Sequence, residues 1–587
     1  GGAAVLAGFG FRPERYQQPE AGAAATIVGP AELAVCCAAW RSRPPVDPAL
    51  LVLATAADPH RAQPVALVLV PDPRQPESDG AIYLPVLGAG APHHDWEQLL
   101  EQLAPVLAAG GWLCQDRKAV QILLARSGRR LGTGGGDQLI AGWLLDEATG
   151  VAPGLAVADP IEAPAVLAER AAAALSAARR VHRRLRERLR QVGMWQLYQE
   201  QELPIADLLA EIEVRGIGLD RAALERHRAD LVAYRQQLVE ELRAATWPGF
   251  HPRRERDRRD LLVRVCGVLP PESSVPGNAA ACARLADRHE LAGLLQQVLA
   301  VDELIEGLVD RLPTVVHPVT GRVQFRLRQD ATATGRILTE QFDLGPAVVV
   351  GSLARRLRRI FVADAERCLL AVQFPHLPLR VLAHASGDPL LCRAVAEDDP
   401  HRAVAAALFG LPVEQISSRQ RRLAKAVQYG LLSGRTAYGL ATALDSEVEA
   451  VQLTIDAYRQ TFRLASSYCD ELIAHAARQG FITCLGGRRK LTPELRSFNQ
   501  NRNLQGRAVA LACAVQGSAA DILKQALLRC REALPIDAAI VLHADDELVI
   551  ECALHSCDQT SHRCAEVLDA AWPLSVPSGR RCQRVAR

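Results

Sequence analysis

The stretch Leu369–Asp388 reads LLAVQFPHLPLRVLAHASGD and changes character in its middle. Its first four residues are apolar, and the run is bounded by charged Arg367 and by prolines, which predicts a short buried strand. From Leu377 onward the apolar residues recur at three- and four-residue steps, which predicts a helix. A strand that gives way to a helix in this manner presents its last side chain to a cleft. Here that side chain is the neutral amide of Gln373.

Length and composition indicate a multidomain protein with ordinary packed cores. The chain has 587 residues, of which 49% are hydrophobic and 23% charged. At about 100–200 residues per domain, this length corresponds to roughly three to five domains. The formal net charge is +2, so overall charge identifies no partner and local clusters must do so. No apolar run reaches the roughly 18 residues that a membrane span needs, and we expect no membrane partner.

The start of the sequence and its cysteines bear on cellular context. The chain begins at Gly1-Gly2 and has a single methionine, Met194, so we interpret it as a fragment in which targeting signals cannot be judged. Its 15 cysteines include no Cys-X-X-Cys pair, which favours reduced buried thiols in an intracellular protein over a disulfide framework. One group near the C-terminus fits no standard zinc spacing. Its members are Cys552, His555, Cys557, His562 and Cys564.

The first 155 residues predict an α/β domain. Strands are expected at 50–53, 65–70 and 82–86, and helices at 96–108, 119–124 and 138–145. A nuclease on such a layer would need carboxylates at strand ends to hold metal ions. Glu77 and Asp79 lie in a loop instead, and the sequence shows no cluster of acidic residues at the ends of the predicted strands. We therefore interpret this domain as structural.

The rest of the chain predicts a helical region followed by mixed α and β structure. A long Ala/Arg helix is expected at 163–192, and two helices split by Arg215-Gly216-Ile217-Gly218 at 203–242. Further helices are expected at 279–311 and 417–475, and strands at 323–327, 482–485, 538–542 and 547–551. The sequence as a whole is therefore of the α+β and α/β multidomain classes.

One predicted helix groups cations with an aromatic side chain. Within Ser418–Gly430, Arg421 and Lys425 lie four residues apart, and either Gln428 or Tyr429 follows on the same face. A pair of cations beside an aromatic ring suits a triphosphate with a stacked base. A solvated amphipathic helix is the alternative, and spacing alone favours it.

A predicted hairpin brings consecutive carboxylates to its tip. The strands at 538–542 and 547–551 flank Asp545, Asp546 and Glu547. Adjacent acids at a turn are costly unless they are solvated or bind a cation. The turn is therefore either a polar surface turn or a divalent metal site.

Three further segments have the character of nucleic-acid contacts. Thr332–Arg336 is a turn of small residues that presents an arginine, and Gln516 is expected at the head of a helix. Between them runs Arg355-Arg356-Leu357-Arg358-Arg359, with no acid from 344 to 363. Such a local basic stripe is typical of surfaces that position phosphates.

Taken together and in order, these motifs resemble those of family A DNA polymerases. The six motifs lie at 332–336, 379–388, 420–430, Gly486–Leu491, Gln516–Ile522 and Asp546–Val549, and they follow the family's order across 330–551. The sequence of Gln516–Ile522 and the acid-poor first domain are most similar to the theta and nu branch, which lacks working proofreading.

The resemblance implies a right-hand polymerase fold with palm, fingers and thumb. It also implies an inactive, RNase H-like exonuclease-type domain at the N-terminus. The implied boundaries are 1–195 for the exonuclease-like domain, 196–312 for the thumb, 313–375 for the first part of the palm, 376–500 for the fingers and 501–587 for the second part of the palm.

The resemblance also implies roles for individual residues. Arg421, Lys425 and Tyr429 would bind the incoming dNTP. Asp546 would be a catalytic, metal-binding carboxylate with Glu547 beside it, and Mg²⁺ or Mn²⁺ would be the cofactor. The implied DNA contacts are Thr334, Arg336, Arg355, Arg356, Gly487, Arg488 and Gln516.

The sequence departs from the family where chemistry is expected. Ungapped family spacing places the first catalytic aspartate at Gln373 and the glutamate that excludes ribose at Pro378, and a fingers tyrosine at Ser433. An amide oxygen carries no charge and cannot bridge two cations as a carboxylate does. Asp545 is a poor replacement, because successive strand residues point to opposite faces and Asp546 is expected to face the metals.

Two functions therefore compete. The favoured one is a pseudo-polymerase, a protein that binds primer-template or other duplex or single-stranded DNA while nucleotidyl transfer is lost or severely weakened. The alternative is an active template-directed DNA polymerase of the theta and nu type in repair or translesion synthesis. The resemblance implies an intracellular, nuclear location and dNTP as a ligand; the sequence names no protein partner.

Overall fold

The structure is a computed structural model, and it divides the chain into two compact units, residues 1–214 and 215–587. It describes residues 25–42, 48–70, 81–87, 93–266, 282, 289–340, 357–444, 446–544, 546–577, 579 and 581–586. No helix among the residues it describes is long and apolar enough to cross a membrane.

The first unit is built on a mixed sheet. Its strands are β1 (Ala25–Ile27), β2 (Ala49–Ala54), β3 (Pro64–Val70), β4 (Ala81–Pro85), β5 (Leu113–Cys114), β6 (Gly136–Asp137) and β7 (Ala156–Val157). They lie in the order β1-β4-β3-β2-β5-β6, with β7 beside β2. Strands β2, β3 and β4 are antiparallel in sequence order, whereas β5 and β6 extend the sheet in parallel. Every residue of β2 is apolar and buried, as expected for a strand covered on both faces.

Helices cover both faces of this sheet. They are α1 (Pro30–Ser42), α2 (Trp96–Ala108), α3 (Arg117–Arg126), α4 (Gln138–Leu145), α5 (Pro164–Gln191) and α6 (Leu203–Arg215), the last preceded by turns at Trp195–Leu197 and Tyr198–Glu202. Leu50 and Val52 face the core formed with α1, α2 and α3, while Leu51 and Leu53 face the core formed with α5. The predicted α/β domain, its strands and its helices are confirmed.

The second unit begins with a helical layer. Its helices are α7 (Arg221–Ala245), α8 (Glu255–Asp260) and α9 (Glu290–Leu304), with short turns at Leu261–Val265, Ile305–Val309 and Leu312–Val315. Asp220 caps α7 by accepting a hydrogen bond from Ala223 N, and Leu231 and Leu238 of this helix share a core with Leu295 of α9. The helix predicted at 279–311 is confirmed over α9; residues 279–281 and 283–288 lie outside the described part.

Two small sheets follow. The strands β8 (Ile217–Leu219), β9 (Arg322–Val323) and β12 (Phe361–Val362) form one, and β10 (Leu327–Arg328) and β11 (Leu338–Thr339) form the other. The single strand predicted at 323–327 is wrong. Val323 pairs with Ile217 and Leu327 with Thr339, so the chain leaves one sheet and joins another within four residues. Apolar and polar residues continue to alternate across this change of sheet, so the sequence pattern does not reveal it.

A group of helices precedes the last part of the chain. The helices are α10 (Leu377–Ser386), α11 (Pro389–Ala396), α12 (Pro400–Phe409), α13 (Ser418–Leu432), α14 (Ala437–Leu444), α15 (Val448–Thr461) and α16 (Arg463–Gln479), followed by the hairpin β14 (Phe481–Thr483) and β15 (Arg489–Leu491). Short turns lie at Arg358–Ile360, Val413–Gln415, Pro493–Arg496 and Leu554–Ser556. The helical prediction over 417–475 is confirmed, and so is a strand near 482–485.

The central sheet holds the stretch with which the sequence was introduced. Its strands are β13 (Arg367–Gln373), β16 (Ala539–Ala544), β17 (Glu547–Ala553) and β18 (Arg581–Ala586), in the order β16-β17-β13-β18 and all antiparallel. The predicted strand, the helix after it and the hairpin are confirmed. Gln373 lies opposite Glu547 in the register, and Cys368 lies opposite Cys552 at the far end of the same strand pair.

Three helices flank this sheet: α17 (Gln500–Ala512), α18 (Ser518–Ala533) and α19 (Cys557–Asp569). A π-helical turn, Cys513–Gly517, joins α17 to α18 without a break. The prediction that Gln516 begins a helix is therefore wrong: the helix continues through it, and the wider turn redirects its side chain.

Candidate active site

A cleft of about 380 Å³ opens between the central sheet, the turn at 332–336 and helices α10, α13 and α18. The polar side chains that line it are Arg336, His376, Lys425, Tyr429, Gln516, His543 and Asp546. Five of these were predicted site residues, drawn from four separated motifs. We call Arg336, Lys425, Tyr429 and Gln516 the cationic wall, and Gln373, Asp546 and Glu547 the acidic floor.

Helix α13 supplies two members of the cationic wall. A capping box fixes its start, in which Ser417 and Gln420 bond to each other's backbone N–H. Lys425 is exposed, and its ammonium lies 6.0 Å from the centre of the Tyr429 ring. Burial raises the pKa of Tyr429, and the charge of Asp546 raises it further. Of the two candidates at this face, Tyr429 lines the cleft.

Gln428 and Arg421 have other surroundings. Gln428 is buried and lies 3.2 Å from the ring of His401, so it belongs to the interior of the helical group. Arg421 does not line the cleft: its Nε donates to Asp399 over 2.6 Å. Asp399 also caps α12 through Arg402 N. The structure therefore brings Lys425 and Tyr429 to the site, and it pairs Arg421 with a carboxylate.

The turn at 332–336 carries the arginine of the cationic wall. Gly335 has a φ of +72°, in the left-handed region that a side chain makes costly. A Cβ at this position would also lie 2.8 Å from the Arg488 guanidinium carbon. The glycine thus lets the turn fold against Arg488, and it leaves Arg336 exposed at the cleft.

Arg488 has a structural role, which corrects its prediction as a DNA contact. Its side chain is buried, donates to Asp521 over 3.1 Å, and donates to the carbonyls of Ala333 and Thr334 over 3.1 and 2.5 Å. These bonds fasten the turn to α18, and they leave the guanidinium directed at the protein rather than at solvent. Gly487, beside it, has no side chain to offer.

Of the remaining predicted DNA contacts, Gln516 lines the cleft and Thr334 does not. Gln516 is half-buried and reaches the cleft from the π-helical turn. Thr334 is half-buried, and its backbone is held by Arg488. Arg355 and Arg356 lie outside the described residues.

On the acidic floor, Glu547 is bonded to protein donors. Gln373 Nε2 donates to Glu547 Oε2 over 2.5 Å, directly across the strand pair. Arg358 Nη1 donates to the same carboxylate at 3.0 and 3.3 Å from its two oxygens. Glu547 is only 8% exposed, so a guanidinium and an amide provide its charge compensation in place of solvent.

Asp546 occupies the tip of the hairpin, and Asp545 lies outside the described residues. The Asp546 carbonyl accepts from Phe374 N over 2.9 Å, which ties the tip to the end of β13. Although the residue is exposed, the cleft walls remove water from its carboxyl, and this loss of solvation raises its pKa. Glu547 raises the pKa further, whereas Arg336 and Arg358 lower it.

The acidic floor does not fit a pair of divalent cations. Two-metal chemistry needs carboxylates that bridge both ions. Gln373 contributes no negative charge, and its amide already donates to Glu547. Arg358 places a positive charge on the same carboxylate. Of the floor's three side chains, Asp546 is the carboxylate that lines the cleft.

Sequence reasoning missed three histidines at this site, and it placed Arg358 in a basic stripe for phosphates rather than beside Glu547. His376 lines the cleft with a φ of +62°, and its ring lies 4.5 Å from that of His401. Burial lowers the pKa of His401 and of His543 to about 4. The motif Asp-Pro-His at 399–401 was a signal for His401, but nothing local links Arg358 to Glu547, because 189 residues separate them.

Comparisons with known proteins agree with this architecture. The model of DNA polymerase family A matches residues 257–583. The thermostable DNA polymerase I of Thermus filiformis is 32% identical over 489 residues, which cover 81% of this chain and 57% of the relative. The DNA polymerase I of Pseudomonas aeruginosa is 31% identical over 408 residues, 68% of this chain and 45% of the relative. The chain thus spans about half the length of these curated relatives.

A solved structure is similar over nearly the whole chain. It is the POL domain of Pol1 from M. smegmatis in complex with DNA primer-template and dNTP. The TM-score is 0.78 at 23% identity, and the match covers 95% of this chain and 98% of that one. The likeness confirms the right-hand polymerase fold.

Proposed function

The chain belongs to DNA polymerase family A, and from this membership we propose that it binds primer-template DNA while its intrinsic nucleotidyl transfer is lost or severely weakened. Family A DNA polymerases use divalent metal ions. The proposal separates the two tasks of such a cleft, which are to hold nucleic acid and to support metal-dependent chemistry.

One observation carries the proposal. Glu547 is engaged by the Gln373 amide and the Arg358 guanidinium, so this carboxylate of the acidic floor is occupied by protein hydrogen bonds. Removing either donor would leave a buried carboxylate short of a partner, and a cation would have to displace both. An amide in place of a carboxylate also removes one negative charge from the floor.

DNA binding is supported by the cationic wall. Arg336 and Lys425 present positive charge to the cleft, Tyr429 offers a ring, and Gln516 offers an amide. Phosphates are held by such cations, and bases stack on such rings. The structurally similar POL domain was solved with DNA primer-template and dNTP, which supports the same ligands here.

The finer assignments rest on narrower observations. In the first unit the antiparallel order β4-β3-β2, extended in parallel by β5 and β6, supports an RNase H-like exonuclease-type domain. The entirely apolar β2 supports the absence of proofreading there. The sequence of Gln516–Ile522 supports membership of the theta and nu branch, and with it a nuclear location. The thumb, palm and fingers boundaries predicted above remain part of this proposal.

An active polymerase of the theta and nu type is the second candidate. Asp546 favours it, because this carboxylate lines the cleft within reach of the charges of Arg336 and Arg358. Such an enzyme would serve template-directed synthesis in DNA repair or translesion synthesis.

Primer extension with parallel binding measurements separates the two. The wild type, Gln373→Asp and Asp546→Ala would each be given a labelled primer-template and dNTPs with Mg²⁺ or Mn²⁺. We expect all three to bind the duplex with a steep salt dependence and none to extend the primer efficiently. Gln373→Asp alone is not expected to restore synthesis, because Pro375 and Pro378 shape the start of α10.

Extension by the wild type that Asp546→Ala abolishes would establish the active polymerase and refute the pseudo-enzyme. Failure of every variant to bind DNA would refute both candidates. As the control for binding, Arg419→Ala alters an exposed arginine on α13 that does not line the cleft.

A further inference from the structure

Three buried cysteines meet at the end of the strand pair opposite the cleft. Cys368 lies on β13, Cys552 faces it on β17, and Cys557 is the first residue of α19. Their sulfur atoms all lie within 4.8 Å of one another, and Cys368 Sγ is 3.6 Å from Cys552 Sγ. Among the residues that the structure describes, this is the one group of three or more metal-ligating side chains so closely placed.

The distances distinguish a metal site from a disulfide. Sulfur atoms bound to one zinc at about 2.3 Å in tetrahedral geometry lie roughly 3.8 Å apart. The two sulfur atoms of a disulfide lie about 2.05 Å apart. The 3.6 Å between Cys368 Sγ and Cys552 Sγ is therefore close to the separation of two thiolates on a shared cation, and too long for a bond between the sulfurs.

We propose that Cys368, Cys552 and Cys557 form a binding site for a single thiophilic cation, Zn²⁺ or Cu⁺. All-sulfur donor sets select soft or borderline cations, and they exclude Mg²⁺ and Mn²⁺, which prefer oxygen. The site is thus chemically separate from the acidic floor, although both are built on β13 and β17.

Burial raises the pKa of all three thiols, and two features of the surroundings act against this effect. Cys557 begins a helix of 13 residues, and the N-terminus of a helix stabilises negative charge. The charge of Arg584 on β18 opposes the effect of burial on the thiol pKa values of Cys368 and Cys557. Cys557 is 6% exposed and is the least buried of the three cysteines. A bound cation would join β13 and β17 to α19.

The spacing of the sequence could not reveal this group. Cys368 and Cys552 are 184 residues apart. Cys564, which the sequence grouped with Cys552 and Cys557, instead lies 3.4 Å from Cys530 on α18. The structure therefore replaces the C-terminal cysteine and histidine group with a different set of ligands.

Cd²⁺ titration tests the site, because thiolates bound to Cd²⁺ give a charge-transfer absorption band in the ultraviolet. The full chain would be stripped with a chelator, kept reduced with a phosphine and titrated with Cd²⁺. We expect one equivalent to bind, and Zn²⁺ or Cu⁺ to displace it and to raise the melting temperature. Cys557→Ser and Cys552→Ala should each weaken binding by about 10–100-fold or more. Cys564→Ser, which alters a buried cysteine outside the group, should leave the band unchanged.

Three results would overturn the proposal. They are the absence of a band in the folded wild type, an equal band in Cys557→Ser and Cys552→Ala, and Cd²⁺ binding that neither Zn²⁺ nor Cu⁺ displaces. Circular dichroism of each stripped variant establishes that it is folded, so loss of the band in a folded variant reports on ligation. The thermal shift gives a second readout: a metal-induced rise in the wild type should vanish in both variants and persist in Cys564→Ser.

Discussion

The cationic wall lines the cleft and the acidic floor reaches it through Asp546, and the two groups differ in what their side chains contact. Lys425 is exposed beside the Tyr429 ring, and Arg336 is exposed on its turn. On the floor, Glu547 is buried and bonded to Gln373 and Arg358. Arg336 and Lys425 therefore reach the cleft, whereas the charge of Glu547 is compensated by protein donors.

This difference teaches that binding and chemistry can diverge within one cleft. The amide of Gln373 donates to the Glu547 carboxylate, and Arg358 adds a second donor. Glu547 therefore has protein donors for its charge, whereas the charge of Arg336 on the wall lowers the pKa of Asp546.

The largest effect on stability is expected from Arg488→Ala, because Arg488 holds the turn that carries Arg336 of the cationic wall. Loss of this side chain leaves Asp521 buried without its ion pair and frees the turn that carries Arg336. Breaking a buried pair in this way costs about 3–5 kcal/mol of unfolding free energy. Denaturant unfolding measures the loss. Arg489→Ala, which removes the contact of this guanidinium with the Phe481 ring, is the control and should cost about 1 kcal/mol or less.

The next largest effect is expected from protonation of His543, a buried residue on the hairpin of β16 and β17. Burial lowers the pKa of His543 to about 4 from an ordinary 6.5, so the folded state keeps this ring neutral. Its contribution to stability is present above pH 6.5 and is lost as pH falls towards 4, because only the unfolded chain takes up the proton. The loss amounts to about 3 kcal/mol.

Unfolding measured across this pH range should therefore show a weaker acid dependence in His543→Phe than in the wild type. His555→Phe changes a highly exposed histidine and should follow the wild type. An identical pH dependence in all three proteins would show that the floor is hydrated and that the contrast with the wall is mistaken.

A smaller effect is expected at the wall itself. Arg336→Ala and Lys425→Ala should each weaken binding of primer-template or dNTP by about 1–3 kcal/mol and reduce the salt dependence of DNA binding by about one charge if the residue contacts a phosphate. Fluorescence anisotropy over a range of salt concentrations measures both. Arg419→Ala on the opposite end of α13 is the matched control. Unchanged affinity in both variants would mean that the wall is only a solvated surface.

Sequence reasoning succeeded where the signal was local. The switch from β13 to α10, the hairpin of β16 and β17, and the helices around α13 all follow from periodicity, and the structure has them close to the predicted bounds. The motifs also placed Arg336, Lys425, Tyr429, Gln516 and Asp546, and the structure brings these five to one cleft.

The failures were non-local. The strand expected at 323–327 divides between two sheets, because its partners Ile217 and Thr339 lie in distant parts of the chain. Arg488 looks like an exposed basic residue until Asp521 and the 332–336 turn pack around it. The contact between Arg358 and Glu547 joins residues 189 apart, and no spacing rule anticipates it.

Binding of Mn²⁺ to the wild type, followed by electron paramagnetic resonance on the complex with primer-template, tests the central claim most directly. The claim is that the donors of Gln373 and Arg358 close the acidic floor to divalent cations. We predict that the wild type binds Mn²⁺ no more tightly than Asp546→Ala does, and that the double variant Gln373→Asp/Arg358→Ala gains a tight site. Tight binding by the wild type that Asp546→Ala removes would contradict the claim.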